Sequence, residues 1–547
     1  MLEDKDVHQV STDKRLSDET LGALGKAIFS AELICPLACA LFACCVATFF
    51  SWEWLGWAGH TNEYFFIPPL NHLALAACCV LVMLLAIYCV AKKIAPMAGR
   101  SGTVRKVALI YAMALLARLF YLSFADDAVA PFSDFAQTWG LANGDLSSLP
   151  YKSLFAAWMN FATMERLFVT IFGSNYHRYL VVNCMVGSCS APLVYGIARQ
   201  MLAREEKSER AAIMGGLIYA LYPASALFST IAAPDVYVVP LYLAGALVLL
   251  RLLRRDTYGL RDTLGHSLLA GVFFGASASL KSFGIVPIIA FSLIAVFGCL
   301  GRLRRFGRWR LLLVVLSIAC LMGAYTGVKR ASLHLTEIMF DTKLDYSTAT
   351  PHYLLVGLNT EGEGQIHIGG ESRLYYRKIL DEGMTTQQAR KQTLELLRND
   401  WLEHRNRVLP LFVKKMIWAW QNDTVPSMYY RTYVIGAPDS FIDRAVFGGI
   451  ASLSQVSYLC IVIGAMIALG KLNTGSGCNA RTVLIGLVII GYFCVVLLSE
   501  AQSRYKYLIM PLLCAQAGIG FSTILEASIR HIKNWIGRKK CQTCCTS

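Results

Sequence analysis

A chain of 547 residues with 56% hydrophobic and only 16% charged side chains lies outside the composition of soluble domains, where about a quarter of residues are charged. Its mean hydropathy is +0.49, and apolar runs of about 18 residues or more recur along its whole length, which identifies a polytopic membrane protein. The formal charge of +15 therefore speaks of orientation in a bilayer, and no nucleic-acid partner is expected.

Residues 1–26 are polar and mixed in charge. They lack the basic start and short apolar core of a cleaved signal and read as a cytoplasmic tail. Spans are expected at 27–50, 70–91, 107–124, 179–198, 211–231, 236–253, 266–280, 285–300, 311–328, 448–469, 482–499 and 508–525, about twelve in all. The first two (27–106) form an additional N-terminal pair, 107–328 a transmembrane core, and 448–525 the C-terminal helices. Residues 526–547 make a basic cytoplasmic tail in which Cys541, Cys544 and Cys545 cluster, too few ligands for a metal site.

Basic residues set the orientation. Lys92, Lys93, Arg100, Arg105 and Lys106 share one loop, and Arg199, Arg204, Lys207 and Arg210 share the next on the same side. Arg254, Arg255 and Arg261 follow, then Arg302, Arg304, Arg305, Arg308 and Arg310. The positive-inside rule puts these loops and both termini in the cytoplasm of a plasma-membrane protein. The 18 cysteines all fall in spans or on that side, which excludes a disulfide-built exterior.

Two long segments are left outside. The loop 125–177 carries Asp126, Asp127 and Asp134 beside a membrane boundary, where carboxylates are costly unless water, a partner or a substrate meets them. Two amphipathic surface helices are expected in it, at 134–143 and 152–172. Taking 152–172 as a span would invert every later loop and expose the arginine-rich turns. Residues 329–447 read as a small, mostly helical soluble cap. Within it Thr385 to Gln388 resembles a capping box opening a helix to about residue 399, and an amphipathic helix at 401–420 ends in an aromatic patch with Trp418, Trp420, Tyr429 and Tyr430. The expected fold is thus an all-α polytopic membrane protein with a catalytic loop at 125–177 and a cap.

Several stretches carry a family resemblance. Ser133-Asp134-Phe135 follows the first core span, and LFVTIFGSN (167–175) closes the second surface helix. Asn183 precedes Val194-Tyr195-Gly196-Ile197-Ala198-Arg199, and Ala220-Leu221-Tyr222-Pro223 precedes Ala233-Pro234-Asp235. Leu280-Lys281 forms a later turn, and Glu500-Ala501-Gln502-Ser503-Arg504-Tyr505 precedes the last span. In order and in placement these resemble the membrane glycosyltransferase C superfamily, in the branch related to protein O-mannosyltransferases and the lipid A aminoarabinose transferase. The family's Pro-Pro entry to the second surface helix is missing, since Ala156-Ala157-Trp158-Met159 stands there, and so is an adjacent Asp-Glu pair.

The resemblance implies transfer of a sugar from a polyprenyl-phosphate donor to a glycan, lipid or protein acceptor on the outer face. It implies Asp134 as the catalytic acid residue. A base must take the proton of the incoming hydroxyl or amine, and the leaving phosphate needs cations, an arginine fork or a lysine point charge. Lys281, Arg504 and Lys506 are expected on the same face as Asp134. With Asp126, Asp127, Asp235, Glu500 and Tyr505 they make up the expected substrate-binding set. Other readings stay open at this point. Asp134 and Asp235 can cap their helices, Lys281 can snorkel, Glu500 can pair with Arg504, and Glu165 with Arg166 can form the polar face of a surface helix. No cofactor is expected, with a divalent cation left open. The alternative activity is that of a lipid-linked sugar flippase or another transporter, which favours charges within spans and repeated halves.

Overall fold

The computed structural model describes residues 34, 36–41, 43, 70–126, 129–202, 206–253, 259–300, 308–362, 364, 374–436, 441–474 and 480–545. Among these residues there is no β-strand. Helices α1 (Leu70–Ile94) and α2 (Gly99–Leu122) lead into the first long loop, which holds α3 (Ser133–Ala142), the single turn α4 (Leu149–Lys152) and α5 (Ala156–Phe172). The chain continues through α6 (Tyr176–Ser188), α7 (Ser190–Met201), α8 (Glu206–Leu221), α9 (Pro223–Phe228), α10 (Asp235–Leu252), α11 (Leu260–Leu280), α12 (Ile285–Leu300) and α13 (Arg308–Phe340). A second long segment holds α14 (Thr350–Leu358), α15 (Leu374–Leu380), α16 (Thr386–Glu403), α17 (Arg405–Trp420) and α18 (Val425–Tyr429), and the chain closes with α19 (Phe441–Thr474), α20 (Ala480–Leu498) and α21 (Met510–Cys545).

Among the described residues, 8 helical stretches are long and apolar enough to cross a membrane. The difference from about twelve has local causes. The stretch 27–50 lies mostly outside the described residues. The helix over 107–124 begins at Gly99 and takes in Arg100, Arg105, Lys106 and Arg118, which dilute its apolar run. The stretch 211–231 breaks at Tyr222, because Pro223 has no N–H to continue α8 and opens α9 instead. The apolar helix after Lys281 is short, at Ser282–Phe297.

The bundle packs closely. A side chain at Gly520 would run into the Gly464 carbonyl oxygen, so α19 and α21 meet backbone to backbone, as small residues allow between membrane helices. One end of the bundle gathers the basic loops. Lys106 pairs with Glu209 at 2.8 Å, Arg199 pairs with the same carboxylate at 3.0 Å, and Arg481 donates to the Gln200 carbonyl. From that end α8 runs to Pro223 and the chain turns to Asp235, so α10 starts at the opposite end, where the long loops lie.

The loop helices fall close to their expected places. Gly173, with φ of +80°, ends α5 in a backbone region that favours glycine, and Asn175 caps α6 by accepting from the Arg178 N–H at 2.9 Å. The capping box at Thr385 and Gln388 is present and opens α16. The amphipathic helix expected from 401 begins at Arg405, and α13 runs on to Phe340, past the expected span end.

Candidate active site

The site forms where the first loop and the ends of several spans converge. It begins with Asp134. Ser133 stands in the left-handed region at φ 52°, a strained position for a non-glycine residue, and α3 starts there with no side-chain cap. Asp134 is therefore free of the capping role. Its carboxylate instead accepts a hydrogen bond from the Lys152 ammonium at 2.6 Å. The Lys152 side chain is 1% exposed and that of Asp134 is 39% exposed. Lys152 also stands 4.7 Å from the centre of the Trp158 ring, a cation–π distance. Burial pushes its pKa down, while Asp134 pulls it back up.

A second carboxylate–lysine pair is built from two distant motifs. Asp235 opens α10 and Lys281 follows the last residue of α11, and they meet at 2.6 Å. Here the exposure is reversed, with Lys281 26% and Asp235 7% exposed. Lys281 lies 4.5 Å from the centre of the Tyr505 ring, and the Arg504 guanidinium lies 5.5 Å from the same centre. Burial lowers the Lys281 pKa, Asp235 opposes that, and the nearby Arg504 charge lowers it further.

The Glu500 to Tyr505 segment closes on itself. Tyr505 donates to Glu500 at 2.6 Å, Gln502 donates to Glu500 at 2.5 Å, and Arg504 donates to the Gln502 side-chain oxygen. Gln502 thus stands between the acid and the arginine that the sequence suggested as partners. Glu500 is buried, which raises its pKa, and the charge of Asp134 adds to that rise. Tyr353 of α14 faces both carboxylates. A close approach fixes α14 here, since a side chain at Gly357 would lie 2.5 Å from the Ser499 carbonyl carbon.

The second pair and the Glu500 to Tyr505 segment border a cavity of about 360 Å³, whose lining does not include Asp134 or Lys152. Asp235, Lys281, Glu500 and Arg504 supply its charges, and Phe135, the residue after Asp134, brings α3 to its wall. Leu280, Phe283, Val495, Val496 and Leu508 give it an apolar side, and Phe155, Trp158, Tyr346, Tyr353, Tyr492 and Tyr505 line it with rings. A pocket with an apolar wall and a few converging charges suits an amphiphile with an anionic group. Among the described residues no group of three or more His, Cys, Asp and Glu could hold a metal ion.

The other expected residues stand elsewhere. Lys506 is 1% exposed, pairs with Asp423 at 3.2 Å and donates to the Asn422 carbonyl, away from the cavity lining. Asp126 is exposed, with its N–H donating to the Val434 carbonyl at 2.9 Å. Asp127 lies outside the described residues. Glu165 is not on a polar surface with Arg166. It is fully buried, whereas Arg166 reaches the Met339 carbonyl.

Sequence reasoning did not single out Lys152, Tyr353 or Lys415. Lys415 donates to the carbonyls of Gly357 and Leu497, and burial pushes its pKa down to about 7 against an opposing pull from Glu500. The available signal for Lys152 was the cost of an acid beside a bilayer, which called for a cation within the same loop.

A model of the family described as dolichyl-phosphate-mannose-protein mannosyltransferase matches residues 153–324, which include Asp235 and Lys281. No curated protein matched the chain. Among solved structures, the archaeal oligosaccharyltransferase AglB from Archaeoglobus fulgidus, in complex with an inhibitory peptide and a dolichol-phosphate, aligns at 12% identity with a TM-score of 0.41. The alignment covers 78% of this chain and 52% of that one, so the chain spans about half the length of the archaeal protein. ArnT from Cupriavidus metallidurans bound to undecaprenyl phosphate aligns at 13% identity and a TM-score of 0.31, covering 78% of each chain.

Proposed function

We propose, on the premise that this chain is a multi-pass membrane protein of the glycosyltransferase C type, that it moves a sugar from a polyprenyl-phosphate donor to an acceptor on the outer face of the plasma membrane. The observation that carries this reading is the pair of cations on one ring. Lys281 and Arg504 both lie within cation–π reach of Tyr505, at the charged end of a cavity with an apolar wall. Two like charges so placed repel, and a phosphate between them relieves that repulsion. The apolar wall then takes the first isoprene units of the same lipid.

In the reaction, the acceptor hydroxyl or amine attacks the anomeric carbon of the donor sugar, and Asp134 takes its proton. The new bond forms to that carbon as the bond to the phosphate oxygen breaks. The leaving electron pair stays on the phosphate, where Lys281 and Arg504 stabilise it. Lys152 orients Asp134 through the hydrogen bond between them. Glu500 and Tyr353, both in the cavity lining, hold sugar hydroxyls. The acceptor is a glycan, a lipid or a protein.

Incubating purified protein with labelled polyprenyl-phosphate sugar and a set of acceptors tests the reading. A new glycoside is the expected product. Movement of intact labelled lipid across a vesicle bilayer with no glycoside would instead make the chain a flippase. The outer placement has its own test. A single cysteine at Ser133 should react with an impermeant thiol reagent in intact cells and one at Ser208 should not.

A further inference from the structure

Among the described residues Glu165 is the one buried acid of the first loop, and the proposed reaction does not use it. Its side chain is completely buried in α5, and neither carboxylate oxygen meets a hydrogen-bond donor in good geometry. Among the described residues no cation pairs with it. The groups around it are hydroxyls from three other elements. The neighbours that would bond it are Thr138 of α3 and Tyr179 of α6, and Tyr237 of α10 lies against Tyr179. The Tyr179 hydroxyl is itself buried with no partner. Two orphaned polar groups thus stand side by side, and a carboxylic acid needs only a small rotation to pair with a phenol.

The connections matter because of where they lead. Thr138 is one helical turn beyond Asp134 on α3, on the same face. Tyr237 is two residues beyond Asp235 on α10, and its hydroxyl donates to Asn183 at 2.5 Å. The rings of Tyr179 and Tyr237 are stacked, with centres 6.5 Å apart. A single buried group thus lies between the helix that carries Asp134 and the helix that carries Asp235 with its partner Lys281.

We propose that Glu165 is held as a neutral carboxylic acid that keys α3 to α6 and α10, and so sets the position of Asp134 against the Asp235–Lys281 pair. It is a positioning residue and touches no substrate. An ionised carboxylate in this setting would have no counter-charge, and burying an unpaired charge is far costlier than burying a neutral acid. The direction of its pKa agrees, raised well above the ordinary carboxylate value by burial, with Thr138 and Tyr179 opposing. The titratable groups that face it are the phenols of Tyr176 and Tyr179 from α6 and Tyr237 from α10, none of which supplies a positive charge.

The role of Asp134 in this inference rests on the proposed reaction, so the test has one arm without substrate. In the unfolded chain Glu165 ionises near pH 4.3; in the folded protein it stays neutral to higher pH. Folding stability is therefore lost as pH rises from the unfolded value up to the raised folded one. Glu165→Gln keeps the shape and stays neutral, so it escapes this loss. Thermal unfolding of the purified protein should show the Gln variant matching the wild type at pH 4 and gaining on it progressively toward pH 8. A gap that does not change with pH overturns the neutral acid, whether or not the protein is a transferase.

The second arm reads position. Transfer assays should give Glu165→Gln a near-normal kcat and Glu165→Ala a kcat at least about tenfold lower, with the donor KM unchanged in both because Lys281 and Arg504 are untouched. The wild type should lose kcat at alkaline pH through a limb that the Gln variant lacks. A shared limb, or a Glu165→Ala loss confined to KM or to yield of folded protein, overturns the positioning role while leaving the transferase reading intact.

Discussion

Two carboxylate–lysine pairs with the same 2.6 Å separation are exposed in opposite senses. In the loop pair the lysine is buried and the acid, Asp134, is the more exposed partner. In the span-end pair the acid is buried and Lys281 is the more exposed partner. Distance alone does not separate them. In the proposed reaction, which partner is left accessible decides what each pair offers, an acceptor for a proton in one case and a cation for a phosphate in the other. The buried partner in each holds the exposed one in place and balances its charge.

The largest effect should come from removing the acid of the loop pair. Asp134→Asn keeps the size and can still accept a hydrogen bond from Lys152, but it cannot take a proton at neutral pH. Turnover should fall at least about a hundredfold, since base catalysis contributes roughly 10²–10⁴-fold. Steady-state transfer assays on folded protein in detergent or nanodiscs measure it. Near-normal turnover would remove Asp134 from its role.

Reversing the loop pair sharpens the comparison. Asp134→Lys with Lys152→Asp restores an ion pair with the buried and exposed partners exchanged. The protein should fold and insert, yet show no transfer above the Asp134→Asn background. Recovery of activity in the double variant, measured beside each single variant, would mean that the pair matters and its direction does not.

The span-end pair should give a smaller effect on a different quantity. A charge-assisted hydrogen bond contributes roughly 1.5–3 kcal/mol, so Lys281→Ala should weaken donor binding by about 10–100-fold. Arg504→Ala should act in the same direction, and Arg504→Lys less so, because the point charge remains while the planar fork is lost. Titration with a donor analogue reads both, and unchanged affinity would leave these residues as membrane anchors.

Lys415 is a third lysine near the site, and its two hydrogen bonds run to backbone carbonyls. Its pKa is about 7 in the folded protein and about 10.4 in the unfolded chain. Between those values the unfolded state holds the extra proton, so stability should rise with pH across that window and stay flat below it. Lys415→Met should remove this rise in a thermal-unfolding series at little cost to turnover, the smallest effect on activity of the set.

Much of this arrangement was legible in the sequence. Hydropathy points to the all-α membrane architecture, and ordered motifs single out Asp134, Asp235, Lys281, Glu500, Arg504 and Tyr505. What a linear reading could not supply was direction. Lys152 reads as the start of a surface helix because its neighbours are amphipathic, whereas the fold ends α4 there and buries its ammonium against Trp158. Lys506 looked like a cation for substrate because it follows Arg504, but the 3₁₀ turn Ser503–Leu508 carries its side chain to Asp423 instead. Glu165 next to Arg166 looked like a solvated pair, and only the packing of α3, α6 and α10 around α5 makes it a buried acid.

The opposite sense of the two pairs is tested most directly by donor affinity, measured side by side for Asp134→Asn and Lys281→Ala with a non-transferable polyprenyl-phosphate sugar analogue. The account predicts wild-type affinity for Asp134→Asn, the variant that has lost its turnover, and an affinity about 10–100-fold weaker for Lys281→Ala. Equal loss in both variants, or loss in Asp134→Asn alone, would contradict it.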